Sequence, residues 1–559
     1  MTDYVFKPNE RPTLPGSPFN PDHPQGRRIA YFLIGCLFAI TSGLGNALVQ
    51  VNLNFAQGTL GLNTDESAWL TGAYFMTYVT SNLLLVKYRQ QFGLQSFIRY
   101  ALAAYAATAL MHLFLHGFWT SVAVRAASGV AGSALTGLGT LYILQSATAP
   151  KRIAAAMIGI CVPQLAVPLA RILSPHLLES GDWHNLYWLE LGLVLATLAA
   201  ALALPLPPSV RQKAFERLDF LTFALLAPGL WLLVAVLSEG RIEWWTDQAW
   251  IGWSLAASIA LIAGAVVVEH HRANPLIDTR WLGTREMVRL MLVGAAVRVL
   301  LSEQAFGSVG LLSVVGMIND QMVTLNWIVV LASIAGLVTA VWTFRPAELS
   351  LPINIAVILI IIGAFMDADA TNLTRPSSFY ISQALIGFAS LLFLAQAAAI
   401  GLARTLLDGG RNFVSFVVLF ILGQSVGGLA GSTLLGSFQT LREKFHSHEL
   451  VQNIVLADPL VLARVRAGGG AIAGAIGDPV LRDAQGLALL GQQIAREANI
   501  LAYNDVFLLV GVLAVLVVIW GFIIRWSILR RHEPSPVVQL QEALQAKAQA
   551  QQAEAQQGQ

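Results

Sequence analysis

Fourteen windows of predominantly apolar residues recur along this chain, near 29–50, 68–86, 97–116, 118–143, 153–178, 185–206, 219–238, 248–269, 289–313, 322–344, 350–367, 378–403, 412–437 and 503–526. Each is close to the ~20 residues a helix needs to cross a ~30 Å hydrocarbon core. Backbone groups in lipid find no water, so such segments must be helices rather than open strands. Composition agrees. Only 12% of the 559 residues are charged, about half the ~25% of a soluble domain, and the mean hydropathy is +0.63. Most of the surface therefore does not face water.

A net charge of +2 gives no footing for a nucleic-acid partner. Cys36 and Cys161 sit in apolar runs and are too few for a disulfide framework. Residues 1–28 are polar and Pro-rich, so no cleavable signal is expected and the segment reads as a tail. The C-terminal "LQEALQAKAQAQQAEAQQGQ" reads as a frayed or disordered Gln/Ala tail within 527–559.

Basic residues orient the spans. If both termini are cytoplasmic, the inner tails and loops hold most of the 34 Lys and Arg, while the short outer loops hold only Arg241 and Arg375. Arg125, Arg171 and Arg298 lie inside spans. A long outer insertion, 438–502, has two stretches of helical periodicity separated by "RAGGGAIAGAIGDP", read as a flexible turn. It lacks the strand and the Lys-Ser/Thr end of a phosphate-binding loop. His446 and His448 have no carboxylate or cysteine cluster beside them in sequence, so they read as surface histidines rather than metal ligands. No cofactor is expected.

The segment "LDFLTFALLAPGLWLLVAVLSEGRIEWW", followed by "VVVEHHRANPLIDTRWLGTREM", closely resembles the two extra spans and following loop of the EmrB/QacA type, the fourteen-span drug/proton antiporters of the major facilitator superfamily. The matching features are Asp219 opening the seventh span, Glu269 closing the eighth, and "NPLID" after it. "QQIAREANILAYNDVF" resembles that family's entry to its last span, and "SAWLTGAYFMTYVTSNLL" its second. The resemblance implies an all-α polytopic membrane protein of major facilitator fold. Two six-helix bundles, 29–206 and 287–526, would flank a linker, 207–286, carrying two extra spans at about 219–238 and 248–269. It further implies a bacterial inner-membrane location, and a periplasmic adaptor and outer-membrane channel as partners for the outer insertion.

The chain also departs from that family. The first span has "LGNALVQVNLNF", with Gly45 where an aspartate is usual, and the loop after the second span keeps only scattered basic residues and Gly93. The fifth span keeps Pro163 and Pro168 without the usual glycines, whereas the fourth keeps Arg125 four residues before Gly129.

A charge near the bilayer centre costs several kcal/mol by insertion scales and so faces a cavity or a partner. Arg171 lies about 27 Å along its helix, close enough to the outer surface to snorkel. Arg298 and Glu303 are about 140° apart around one helix, so each needs its own partner. Arg298 falls near the midplane. Glu303 and Arg125 both fall about 9 Å below the outer face, which places them at similar depth on opposite walls of one central pocket.

Glu303 then reads as a proton carrier set by burial and Arg125, with Arg298 in the same proton-coupling group; a fixed Arg–Glu latch and a chance lipid-facing acid are the other readings. Asn46, Gln50, Asn52, Tyr74, Tyr78, Gln164, Gln383 and Gln396, with Glu190 as a secondary acid, make a mostly apolar cavity with few polar fixtures. The function expected is export of hydrophobic or amphipathic compounds by proton antiport and alternating access. Carriage of a specific metabolite or siderophore, or a non-transporting receptor on the same scaffold, are the alternatives. No His-Glu-x-x-His motif and no intramembrane catalytic set supports an enzyme.

Overall fold

The computed structural model describes residues 10, 12, 16–148, 151–455, 457–471 and 473–557. Most of the expected tail before residue 16 lies outside the described residues. Among those residues helices are the regular structure, and the strand-like pairing is a bridge between Pro18 and Ser209.

Six helices form a first bundle: α1 (Gln25–Val51), α2 (Thr64–Phe92), α3 (Leu94–His112), α4 (Gly117–Gln145), α5 (Arg152–Leu178) and α6 (His184–Ala203). Next, α7 (Arg217–Trp244) and α8 (Ala249–His270) pack on each other and, through α7, on α2. A second bundle follows: α9 (Arg285–Val314), α10 (Asn319–Trp342), α11 (Ser350–Asp367), α12 (Pro376–Leu407), α13 (Phe413–Gln452) and α14 (Pro479–Arg531). The bundles meet where α5 packs on α10 and α12, and α2 on α13. Met157, Cys161 and Leu165 of α5 share one core with Leu391 to Ala399 of α12.

Twelve of the described helices are long and apolar enough to cross a membrane. The other two expected windows are also helices, α2 and α3, but neither reaches that standard. Thr, Tyr and Asn side chains dilute α2, and Gln95, Arg99, Tyr100 and Tyr105 dilute α3. Fourteen crossings are therefore not established by length and hydropathy.

Local sequence explains the breaks. α2 starts at a capping box in which Asn63 accepts from the Glu66 N–H at 2.7 Å and Glu66 accepts from the Asn63 N–H at 2.9 Å. α5 tightens into a 3₁₀ turn over Val162–Leu165, where Pro163 supplies no N–H. The Gly-rich outer stretch is not the expected turn along its length. Its first part completes the helix Pro459–Ala471. A Cβ at Gly469 would lie 2.5 Å from the Arg482 carbonyl, and one at Gly486 2.1 Å from that of Val465. These glycines let two backbones touch. The C-terminal stretch, expected to fray, is the helix Pro536–Gln557, and it docks Val537 and Leu540 beside Leu349 and Ala403.

A buried ion network fastens α7 and α8. Asp219 accepts from Lys87 Nζ at 2.7 Å and from Arg272 at 2.8 Å, and Arg272 also reaches Glu269 at 2.6 Å and Glu216 at 3.1 Å. Thr222 donates its hydroxyl to Glu269. Burial works against the Arg272 charge, yet the surrounding carboxylates hold that guanidinium above its ordinary value. Asp219 and Glu269, the acids that carry the family resemblance, are thus structural clamps.

Candidate functional site

A cavity of about 130 Å³ lies between the bundles. From the first bundle only α5 lines it, through Gln164, Val167, Pro168 and Arg171. The second bundle contributes Arg298, Leu301, Gln304 and Val309 from α9, Asn326 and Val329 from α10, Gln383 and Phe393 from α12, and Gln424 from α13. The lining is apolar with amide fixtures and two guanidinium groups. Neither arginine pairs with a carboxylate among the described residues. Arg298 donates from Nε to the Gln424 carbonyl at 2.9 Å, and Arg171 donates from Nη1 to Asn319 Oδ1 at 3.0 Å. α13 makes room for Arg298 with Gly428, where a Cβ would sit 2.7 Å from Nη2.

Arg171 was expected near the outer surface, reaching for water. It points instead into the space between bundles. Asn319, its partner, also donates to Asn52 Oδ1 and to the Val51 carbonyl, each at 3.3 Å. The start of α10 is therefore stitched to the ends of α1 and α5 on the side poor in Lys and Arg.

Behind Gln383 lies an acid pair. α9 widens into a π-turn over Glu303–Ser308, a distortion common at functional sites. The π-turn points Gln304 at the cavity while Glu303 faces α12. Gln383 Nε2 donates to Asp367 Oδ2 at 2.8 Å and to Glu303 Oε1 at 3.1 Å. Gln304 Nε2 donates in turn to Gln383 Oε1 at 3.3 Å. Both carboxylates are buried, Glu303 at 0% and Asp367 at 3% exposure, and no basic side chain among the described residues pairs with either. Sequence reasoning missed Asp367 because it ends an apolar window and looks like a boundary residue.

Arg125 does not face Glu303. Its partners belong to its own bundle: Asn46 Oδ1 at 2.5 Å, the Gly45 carbonyl at 3.2 Å, the Leu70 carbonyl at 3.3 Å and the ring of Tyr74 at 4.9 Å. Close by, Glu190 Oε2 lies 3.1 Å from His112 Nδ1. A Cβ at Gly45 would lie 2.7 Å from Glu190 Oε1 and 2.3 Å from the Tyr105 hydroxyl. The carboxylate missing from the first span is thus supplied by the sixth, in the space that glycine leaves open. His112, a lone histidine in an alanine-rich helix, carried no signal in the sequence.

The remaining expected residues separate. Gln164 and Gln383 line the cavity. Tyr74 and Tyr78 stack at 5.4 Å within the first bundle, and the Tyr78 hydroxyl meets Thr136 Oγ1 at 3.2 Å. Asn52 binds Ser174 Oγ at 2.6 Å. Gln396 donates to the Ala340 carbonyl at 3.3 Å, a helix–helix bond away from the cavity. Gln50 is exposed and joins none of these groups. His446 finds a carboxylate the sequence did not place near it, Asp505 at 2.6 Å, which Arg442 also holds.

Among solved structures, the chain is similar to the human organic anion transporter MFSD10 (TETRAN), at 13% identity and TM-score 0.51, over 88% of this chain and 100% of that one. It is also similar to tetrameric PepTSo2 in two space groups, each at TM-score 0.53 over 90% of this chain and 99% of that one, with 12% and 14% identity. No family model matches the sequence, and no curated protein matches it. The fold is that of the major facilitator transporters, a multi-pass helical membrane protein.

Proposed function

We propose that the chain is a proton-coupled secondary transporter that exports hydrophobic or amphipathic compounds by alternating access, with the Glu303–Asp367 pair as its proton site. The observation that carries this reading is Gln383. Its side chain lines the cavity, and its single amide nitrogen holds both buried acids. Two carboxylates bridged by one amide in a low-dielectric interior, with no cation paired to either among the described residues, are stable when at least one of them carries a proton. A solute that engages Gln304 or Gln383 would pull on that amide and change how well it serves the acids. Loss of the amide donor favours the protonated pair, and its return favours release.

The resemblance to fourteen-span antiporters and the mostly apolar lining support export of amphipathic solutes. The bent α5 against α10 and α12 supplies the seam along which the bundles rock. The test is accumulation of a panel of cationic, neutral and anionic amphipathic dyes in cells with and without the protein, across external pH. The wild type lowers accumulation of at least one dye in a pH-dependent way, while Glu303→Gln and Asp367→Asn lose that dependence. Equal accumulation in cells with and without the protein, for every dye, contradicts transport; equal pH dependence in all three proteins contradicts the acid pair.

A further inference from the structure

The cavity is more particular than an apolar drug pocket. Two positive charges from opposite bundles face one space between the bundles, Arg171 from α5 and Arg298 from α9. Among the described residues each donates one hydrogen bond to protein, leaving most N–H donors of both guanidinium groups unclaimed. The acids do not answer them. Glu303 and Asp367 sit behind Gln383 and line no part of the cavity, while Glu190 is held against His112 in the first bundle. Amides cannot neutralise the pair either, since Gln164, Gln304, Asn326 and Gln424 carry no charge. Placing an unpaired guanidinium in a membrane interior is costly, and two in one cavity repel each other. An anion between them removes both penalties, and guanidinium forks match a carboxylate closely.

We propose that this cavity takes the carboxylate of an amphipathic organic acid, gripped between Arg171 and Arg298, with its apolar body against Val167, Leu301, Val329 and Phe393. The inference rests on the transport reading above and narrows its substrate from amphipathic compounds in general to acids. Cavity size points the same way. At about 130 Å³ the space is below the ~300–1,000 Å³ of drug-sized sites, which suits a small acid or the head of a longer one. Because one arginine comes from each bundle, the bound anion also ties the two halves together across their seam. Its departure frees them to separate.

The test uses purified full-length protein and calorimetry with benzoate and octanoate, against benzamide and octanamide as uncharged counterparts and tetraphenylphosphonium as a cation. Wild type binds at least one acid, with its amide weaker by about tenfold or more, and Arg171→Gln and Arg298→Gln each weaken the acid by about tenfold. Arg298→Lys, which keeps the charge without the fork, falls between. The acid-versus-amide comparison needs only wild type, so it decides the matter even where a variant fails to fold. Amides equal to acids, tetraphenylphosphonium binding in place of both acids, unchanged acid affinity in both folded Gln variants, or no acid binding at about 10 mM would each overturn the proposal. Reconstituted vesicles under a pH gradient separate the two claims. Acids that bind through the arginines but are never moved leave the anion site standing and refute transport, whereas pH-driven movement of tetraphenylphosphonium without acid binding does the reverse.

Discussion

The two bundles bury acids in opposite company. In the first, Glu190 lies against His112, and Arg125 is bonded to the carbonyl of the same Gly45 whose open face the Glu190 carboxyl fills. In the second, Glu303 and Asp367 share one amide nitrogen, and no cation among the described residues pairs with either. A buried acid with a basic side chain beside it has its partner in place, and either resists leaving the other. Charge that is not offset must be neutralised by something mobile, and a proton is the smallest such thing. On this comparison we propose a strut in the first bundle and a proton switch in the second.

The largest expected effect lies in the switch. Asp367→Asn or Glu303→Gln lowers pH-gradient-driven transport in reconstituted vesicles by at least about tenfold, whereas Glu190→Gln retains the gradient dependence. If Glu190→Gln abolished coupling and Asp367→Asn did not, the two roles would be exchanged.

Breaking a compensated cluster should act on stability instead. Arg272→Gln leaves Asp219, Glu269 and Glu216 short of their shared cation, a loss of about 3–5 kcal/mol, read as a lower thermal unfolding midpoint in detergent. Gly45→Ala comes next, at about 1–3 kcal/mol from overpacking against Tyr105 and Glu190. Combining it with Glu190→Ala should recover part of that loss, and strict additivity would show that the two residues do not share the space. The smallest effect is Tyr78→Phe, about 1 kcal/mol for one hydrogen bond to Thr136, with pH dependence untouched.

How much of this was legible in the sequence differs between height and azimuth. Apolar windows located the twelve described helices long and apolar enough to span, while the two windows of α2 and α3 fell short of that standard, and a rise of 1.5 Å per residue ranks charges by depth. Which way a helix face turns is decided by packing with distant segments. Arg125 and Glu303 were therefore set at one depth and wrongly on facing walls. Arg171 was judged by depth alone, although α5 turns it towards Asn319. Glu303 announced itself as an acid in an apolar run, but Asp367 hid at a window's end. Gly45 read as a missing acid until α6 was seen to fill the gap.

The proposed switch requires that the second bundle's acid pair carry a proton. Infrared spectra of the purified protein at neutral pH test it directly through the carbonyl stretch of protonated carboxyl groups. The band should weaken in Asp367→Asn and in Glu303→Gln and stay unchanged in Glu190→Gln. A band that both second-bundle variants leave intact would contradict it.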